Sequence, residues 1–467
     1  MPEVSLSQQI AVSVACSANP RRVALVLRGR QFIRSWLESG LVSHLRSDGI
    51  DVVIYADSET REVMSAEESE GVVLLADKLQ NWFSKNSRLI GLHELRKKSS
   101  THQFRLHRML LSDYWVFPRV GTPYQRFVGG VYGMARVIRS VKRNFLELLY
   151  LVPLVRHIAK LLLSLGNWKG SDSSLDFAGF DWLIIPSAGV GSESDLIAAA
   201  KRCSVRSLVA IDNWDHLTAK GAFVELPDFI TVMGSRDIGY ARDLHGADPE
   251  SVLVFGLPRF DVYRETRLSI QNSSLPHKPK VIYLGWSLPH SEARVVSNLF
   301  NRLKSDLGSD KFHFAYRPHP RNALVKDPFI LDDAGITVVR FEKNLRTDMP
   351  KMDDDFMLEL TSADVVVGPP TTMMLEAAIL GRPCVLDLTI DSFHRTTAGF
   401  MSLKCLHHKD LIGVSTISKA ANLSELASCT KSYLGRGRIE IKHEISHLFD
   451  VSDDSYRNLL SEFLRRR

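Results

Sequence analysis

Two short stretches in the second half of the chain combine residue types that can hold a phosphate. The first is Ala363-Asp364-Val365-Val366-Val367-Gly368-Pro369-Pro370-Thr371-Thr372-Met373-Met374-Leu375-Glu376-Ala377-Ala378-Ile379-Leu380-Gly381-Arg382-Pro383. A valine run, two prolines, a threonine pair, an apolar run and Gly-Arg-Pro read as strand, tight turn, helix and stop, with Thr372 as the N-cap. A helix that starts just after a parallel strand presents free backbone N–H groups and the positive end of its dipole, which suits a phosphate. Thr372 and Glu376, four residues apart, share one helix face, so a phosphate at the threonine and a ribose hydroxyl at the glutamate are compatible. The second stretch is Tyr316-Arg317-Pro318-His319-Pro320. Its prolines stiffen a loop that follows a buried strand, so Arg317 and His319 lose little freedom on gripping a pyrophosphate. A nucleotide is therefore expected between these loops, with Gly285 and Ser287 in the same donor site.

A different chemistry is offered by Ile211-Asp212-Asn213-Trp214-Asp215-His216. Asp212 closes a buried strand, and a carboxylate or imidazole there can take a proton from an attacking hydroxyl. Asp212, Asp215 and His216 are all candidates for that base. The turn Gly29-Arg30 follows the first strand but lacks G-x-G-x-x-G, so it is not read as a dinucleotide site. His407 and His408 have no partners at metal-ligand spacing and are expected on the surface; no metal site is expected.

The elements that must position these residues alternate. Residues 23–27 form a five-residue apolar run, read as a buried parallel strand. Helical spacing follows over 32–45 and a second strand over 52–55. Strands resume at 182–186, 207–211, 229–233 and 252–256, and a second set runs through 281–284, 313–316, 337–339, 365–367 and 384–386. Such alternation predicts parallel, doubly wound sheets. The expected organisation is a floppy leader over 1–20, an N-terminal Rossmann-like acceptor domain over 21–264 with a basic helical insert near 59–170, a linker over 265–279, a nucleotide-donor domain over 280–445, and a C-terminal helix over 446–467.

The net charge of +6 and pI near 9.0 suit an anionic partner. No zinc-finger spacing or RNA-recognition signature is present, so nucleic acid is not expected. Five cysteines without C-x-x-C spacing favour a reducing compartment, hence the cytoplasm. The leader has no basic residue before Arg21 and does not read as a secretory signal. The apolar run near 146–155 is too short to span a bilayer. Residues 104–165 mix apolar and basic residues, so an amphipathic helix lying on an anionic membrane surface, at its inner face, is a possible partner site.

The Pro-His-Pro loop, followed some fifty residues on by Ala-Asp-Val-Val-Val-Gly-Pro-Pro-Thr-Thr…Glu-Ala…Gly-Arg-Pro, resembles the donor half of GT-B glycosyltransferases of bacterial cell-envelope and surface-polysaccharide synthesis. It is similar in particular to the branch of CDP-glycerol glycerophosphotransferases and bacterial sialyl- and Kdo-transferases. Ile211-Asp212-Asn213-Trp214-Asp215-His216-Leu217-Thr218-Ala219-Lys220-Gly221 resembles a Trp-Asp-Asn…Lys-Gly motif of the same group. Gly256-Leu257-Pro258-Arg259-Phe260-Asp261 is similar to the lead-in to the donor half. The chain departs in carrying Pro369-Pro370 where the glycerophosphotransferases tend to have Asp-Tyr.

The resemblance implies two Rossmann-like domains facing a cleft. It implies that His319-Pro320 and Thr371-Thr372 hold the phosphates of a pyrimidine nucleotide, that Glu376 meets the ribose, and that Gly29 and Arg30 lie on the acceptor side. The expected function is metal-independent transfer of a sugar from a nucleotide-activated donor, with no cofactor, to a glycan or lipid-linked acceptor. CDP-glycerol or ribitol phosphate transfer, a UDP-sugar 2-epimerase and an inactive GT-B binding scaffold are the alternatives.

Overall fold

The apolar runs become parallel strands, and every strand pairing among the described residues is parallel. The structure, a computed structural model, describes residues 21–75, 82–103, 152–166, 175–187, 193–263, 278–286, 292–319, 335–339, 354–390, 397–434, 443–450 and 454–467, with a few isolated positions besides. The leader, most of 104–151, nearly all of the 265–279 linker, Ser287 and Pro320 lie outside the described residues.

The first sheet holds β1 (Arg22–Leu27), β2 (Asp51–Ala56), β3 (Val73–Leu74), β4 (Trp182–Ser187), β5 (Arg206–Ile211), β6 (Phe229–Val232) and β7 (Val252–Val254), in the order β3-β2-β1-β4-β5-β6-β7. The second holds β8 (Lys280–Leu284), β9 (His313–Arg317), β10 (Thr337–Val338), β11 (Val365–Gly368), β12 (Cys384–Asp387) and β13 (Ser418–Ala420), in the order β10-β9-β8-β11-β12-β13. The two orders follow one scheme, and each reverses once: between β1 and β4, and between β8 and β11. Ligands of open parallel sheets bind at the carboxyl ends of strands flanking such a reversal. This is the two-domain, doubly wound GT-B arrangement.

The helices used below are α1 (Leu41–Ser47), α2 (Trp82–Lys98), α3 (Pro153–Gly166), α4 (Glu193–Arg202), α5 (His216–Ala219), α6 (Glu292–Leu307), α7 (Asp354–Ser362), α8 (Thr372–Ile379), α9 (Leu406–Gly413) and α10 (Tyr456–Arg466). Two strands escaped the sequence pattern. β3, inside the stretch read as helical, is two residues long and exposed, and β13 carries no apolar run.

The single helix expected over 32–45 is broken. A π-helical turn over Arg34–Glu38 is followed by Gly40 at φ +74°, and α1 starts afresh at Leu41. Left-handed φ suits glycine, which has no Cβ to clash. The wider turn re-aims Arg34 and Ser35, with consequences for the site.

The chain's last helix returns to the N-terminal half. Asp261 accepts from the backbone N–H of Tyr456 at 2.9 Å and of Arg457 at 3.3 Å, capping α10. Tyr456, Leu460 and Leu464 then pack with Trp36, Trp182 and Phe255. Each buried leucine contributes on the order of 2 kcal/mol. Residues ahead of this helix serve the other half: Ile445, Leu448 and Phe449 share a core with Leu257, Phe260 and Tyr263 and the apolar side of α8.

Candidate active site

The donor-side motifs converge on the reversal between β8 and β11. The loop after β9 lies directly on the loop after β8: Gly285 N–H donates to the Arg317 carbonyl at 2.8 Å. A Cβ on Gly285 would stand 2.8 Å from the His319 nitrogen and 3.0 Å from Pro318 Cα. A Cβ on Gly368, at the end of β11, would stand 2.6 Å from the Leu284 carbonyl oxygen. Glycine at both places allows the three loops to meet.

The helix that follows β11 is capped one residue earlier than its pattern suggests. Thr371, not Thr372, is the N-cap, and its side chain accepts from Met374 N–H. This frees the Thr372 hydroxyl, which donates to Asn213 Oδ1 at 3.3 Å and so reaches across to the loop after β5. The carboxyl edges of the two sheets therefore face each other here.

Arg317 and Glu376 both have protein partners. Arg317 is buried, and its guanidinium donates to Glu359 on α7 at 2.8 Å. Glu376 is 5% exposed and accepts from Tyr263 Oη at 3.0 Å. Burial raises its pKa, against the pull of Arg34, Arg259 and the tyrosine hydrogen bond. His319 is half-buried beside the loop junction.

On the opposite edge, Asp212 is buried at the end of β5. Arg259 donates to its carbonyl at 2.8 Å, with the same nitrogen 3.5 Å from Oδ2. Desolvation raises its pKa; Arg259, a hydrogen bond from Ser35 and the charge of Arg34 oppose this. Arg34 and Ser35 arrive there because of the π-helical turn. The charges of Arg34 and Arg259 thus act on both Asp212 of one half and Glu376 of the other. Neither arginine was singled out from the sequence as a site residue. Arg259 lies in the quoted Gly256–Asp261 motif; Arg34 gave no signal, since a regular helix would have aimed it elsewhere.

His216, at the start of α5, is 7% exposed. Its burial lowers the pKa to about 4, opposed by Asp215, whose Oδ1 is 3.9 Å from Nε2. The ring makes a hydrogen bond to the Ser187 backbone at the end of β4, while its Nδ1 has no hydrogen-bond partner among the described residues. It is therefore a neutral imidazole at pH 7 whose Nδ1 is buried. Asp215 also pairs with Lys220 at 3.8 Å.

The histidine pair expected on the surface is buried. His407 and His408 on α9 are 8% and 4% exposed. His407 Nδ1 is 2.9 Å from Thr218 Oγ1. Trp214 lies edge-on to His407 and stacks on His408 at 5.8 Å, and Trp286 closes on His408 at 5.5 Å. Their neighbours come from both halves of the chain, which no local pattern could reveal. Gly29 and Arg30, expected on the acceptor side, lie at the other reversal. Gly29 has φ +119° and donates its N–H to Thr60 Oγ1 at 2.8 Å, and Arg30 pairs with Glu59 at 3.4 Å. Arg28, one residue earlier, feels the charges of Asp195, Glu193 and Asp57.

Glu292, the first residue of α6, is a hidden support of the loops after β8 and β9. It accepts from Trp286 N–H at 2.6 Å and from Tyr316 Oη at 2.5 Å. Burial pushes its pKa from 4.5 to about 7. The folded protein thus keeps a proton that the unfolded chain loses near pH 4.5. Stability from this group is present below about pH 4.5 and is lost as pH rises towards 7, a loss of roughly 3 kcal/mol. Glu292→Gln cannot ionise, so its stability relative to the parent should rise by that order between pH 4.5 and 8. Parallel urea-unfolding profiles over this range would refute the assignment.

No protein-family model matches the chain, and no curated protein matches it in sequence. Among solved structures, the chain is similar to a UDP-GlcNAc 2-epimerase from Methanocaldococcus jannaschii, with 11% identity, TM-score 0.47, and 95% of this chain and 99% of that chain covered. It is similar to the UDP-GlcNAc 2-epimerase from Neisseria meningitidis bound to UDP-GlcNAc, at 9% identity and TM-score 0.47, covering 96% and 100%. A variant of the wall teichoic acid polymerase TagF gives 10% identity and TM-score 0.40, covering 96% and 88%. Similarity this distant says nothing about the reaction.

Proposed function

We propose that the chain is an enzyme that binds a nucleotide-activated sugar at the β8/β11 reversal and transfers the sugar to an acceptor hydroxyl. The observation that carries this reading is the convergence of Gly285, His319 and the capped start of α8 at one reversal, opposite the neutral imidazole of His216. Backbone N–H groups at the start of α8 and the His319 ring would hold the diphosphate. Entry of a phosphate there displaces the Thr372–Asn213 contact. Arg317 supports the site through Glu359 and through its carbonyl on Gly285. Glu376 reaches a ribose hydroxyl if that hydroxyl replaces Tyr263.

In the transfer step the acceptor oxygen bonds to the anomeric carbon as the carbon–oxygen bond to the nucleotide breaks. The electron pair of that bond leaves with the diphosphate, whose charge α8 and His319 stabilise. His216 Nδ1 takes the acceptor proton. Asp212 and Asp215 stand as the alternative bases. On the other edge of the cleft, the Gly29-Arg30 turn faces the acceptor, a glycan or a lipid-linked sugar.

A thermal-shift and calorimetry series with UDP, CDP, CMP, GDP and TDP tests the donor site. A pyrimidine nucleotide is expected to bind, and failure of all five sinks the proposal. Product analysis then separates the chemistries. Release of CMP from a CDP-alditol would identify phosphate transfer, and a change of sugar configuration without acceptor would identify an epimerase. Either would overturn sugar transfer.

A further inference from the structure

Helix α3 carries an exposed apolar stripe. Leu154, Ile158 and Leu162 recur every four residues and are 67%, 47% and 43% exposed, and Leu161 beside them is 54% exposed. The helix is not loosely held. Its opposite face packs on α2, with Ala159 buried beside Ile90, Arg156 hydrogen-bonded to His93, and Lys160 paired with Glu94 at 2.8 Å. The anchored face fixes the direction of the leucines. A soluble helix ordinarily turns such a stripe inward, and four large apolar side chains together on one exposed face mark an interaction surface.

Charge decides what would cover it. α3 contains no acidic residue, and Lys160 and exposed His157 flank the stripe on one side. The last turn of α2, against which α3 packs, is Arg96-Lys97-Lys98. By sequence, residues 104–165 hold ten Lys and Arg against two Asp and Glu, whereas the whole chain carries only +6. By sequence, the positive charge of the protein is thus concentrated in the segment that leads into and includes α3. A second copy of this chain would bring like charge against like. A surface that combines apolar depth with negative charge satisfies both features, and an anionic phospholipid bilayer is such a surface. Among the described residues no helix is long and apolar enough to cross a membrane, so the contact would be peripheral.

We propose that α3 lies in the headgroup region of anionic membranes, with Leu154, Ile158, Leu161 and Leu162 inserted among the acyl chains and its own basic residues near lipid phosphates. This proposal is independent of the donor-site reading. The test is flotation of the full chain with vesicles of phosphatidylcholine alone or with one-third phosphatidylglycerol, at low and high salt. Binding is expected to the anionic vesicles and to weaken roughly tenfold at high salt. The double variant L154E/I158E should lose at least about tenfold in binding, with unchanged thermal unfolding, because both positions are exposed. Charge reversal of Lys160 alone should weaken binding more modestly. Binding that is equal for both vesicle types, equal for the double variant, or absent throughout overturns the proposal. So does a parent dimer that the double variant converts to monomer, which would make a second copy the occupant.

Discussion

Replacing His216 with alanine is expected to lower kcat by about 10²- to 10⁴-fold, the usual contribution of a positioned general base, while donor nucleotide affinity stays within a few-fold of the parent. The separation follows from placement. His216 belongs to the loop after β5, whereas the phosphate-facing groups belong to the loops after β8, β9 and β11. The pH profile gives an independent signature. Burial holds the imidazole pKa at about 4 rather than 6.5. The base is thus unprotonated across the neutral range, and kcat/KM should stay level from pH 8 down to about 5, then fall. A limb near 6.5 would mean that the ring is solvated in the working enzyme. Asp212→Asn is the companion variant. If it abolishes turnover while His216→Ala leaves activity nearly intact, the proton goes to the carboxylate.

The second large effect concerns stability. Arg259 donates to the Asp212 carbonyl, lies near its carboxylate and lends its charge to Glu376, and it stacks over Phe260 at 4.9 Å. Arg259→Met keeps the apolar stem and removes the charge, leaving Asp212 with Arg34 and Glu376 with Arg34 and Arg317 as the cations acting on them. Breaking a buried charge pair from one side costs about 3–5 kcal/mol. The cost should depend on pH in a defined direction. Burial raises the pKa of both Asp212 and Glu376 in the fold, and loss of Arg259 raises them further. The variant therefore pays most at neutral pH, where the unfolded carboxylates are ionised. The gap to the parent should narrow as pH falls towards the unfolded carboxylate range near 4. Urea unfolding at pH 7 and pH 5 reads this directly; an identical loss at both would show that packing against Phe260 is what mattered.

The site itself was only half legible from sequence, and the division has a physical pattern. Loops written by local chemistry were visible: prolines that end β11, the threonine pair that starts α8 with its cap one residue earlier than read, and the Pro318-His319 turn. The residues that join the halves were not. Arg34 lies in a stretch whose apolar spacing reads as regular helix, and the π-helical turn that brings its charge to bear on Glu376 leaves no mark in that spacing. His407 and His408 looked like surface residues because their aromatic neighbours, Trp214 and Trp286, lie far away in sequence. Glu292 looked like a routine helix-start carboxylate, yet Trp286 and Tyr316 turn it into a buried support.

By itself the sequence determined the two doubly wound sheets, because parallel strands buried on both faces must be continuous apolar runs, and it determined the capped helix and stiff loop of the donor side, because those depend on neighbours within a few residues. The tertiary structure alone decided which groups share a field: that Arg34 and Arg259 act on both Asp212 and Glu376, that His216 is neutral, that Arg317 pairs with Glu359, and that α3 turns its leucines outward. Desolvation and charge pairing act through space, and the distances they depend on exist only once the chain has folded.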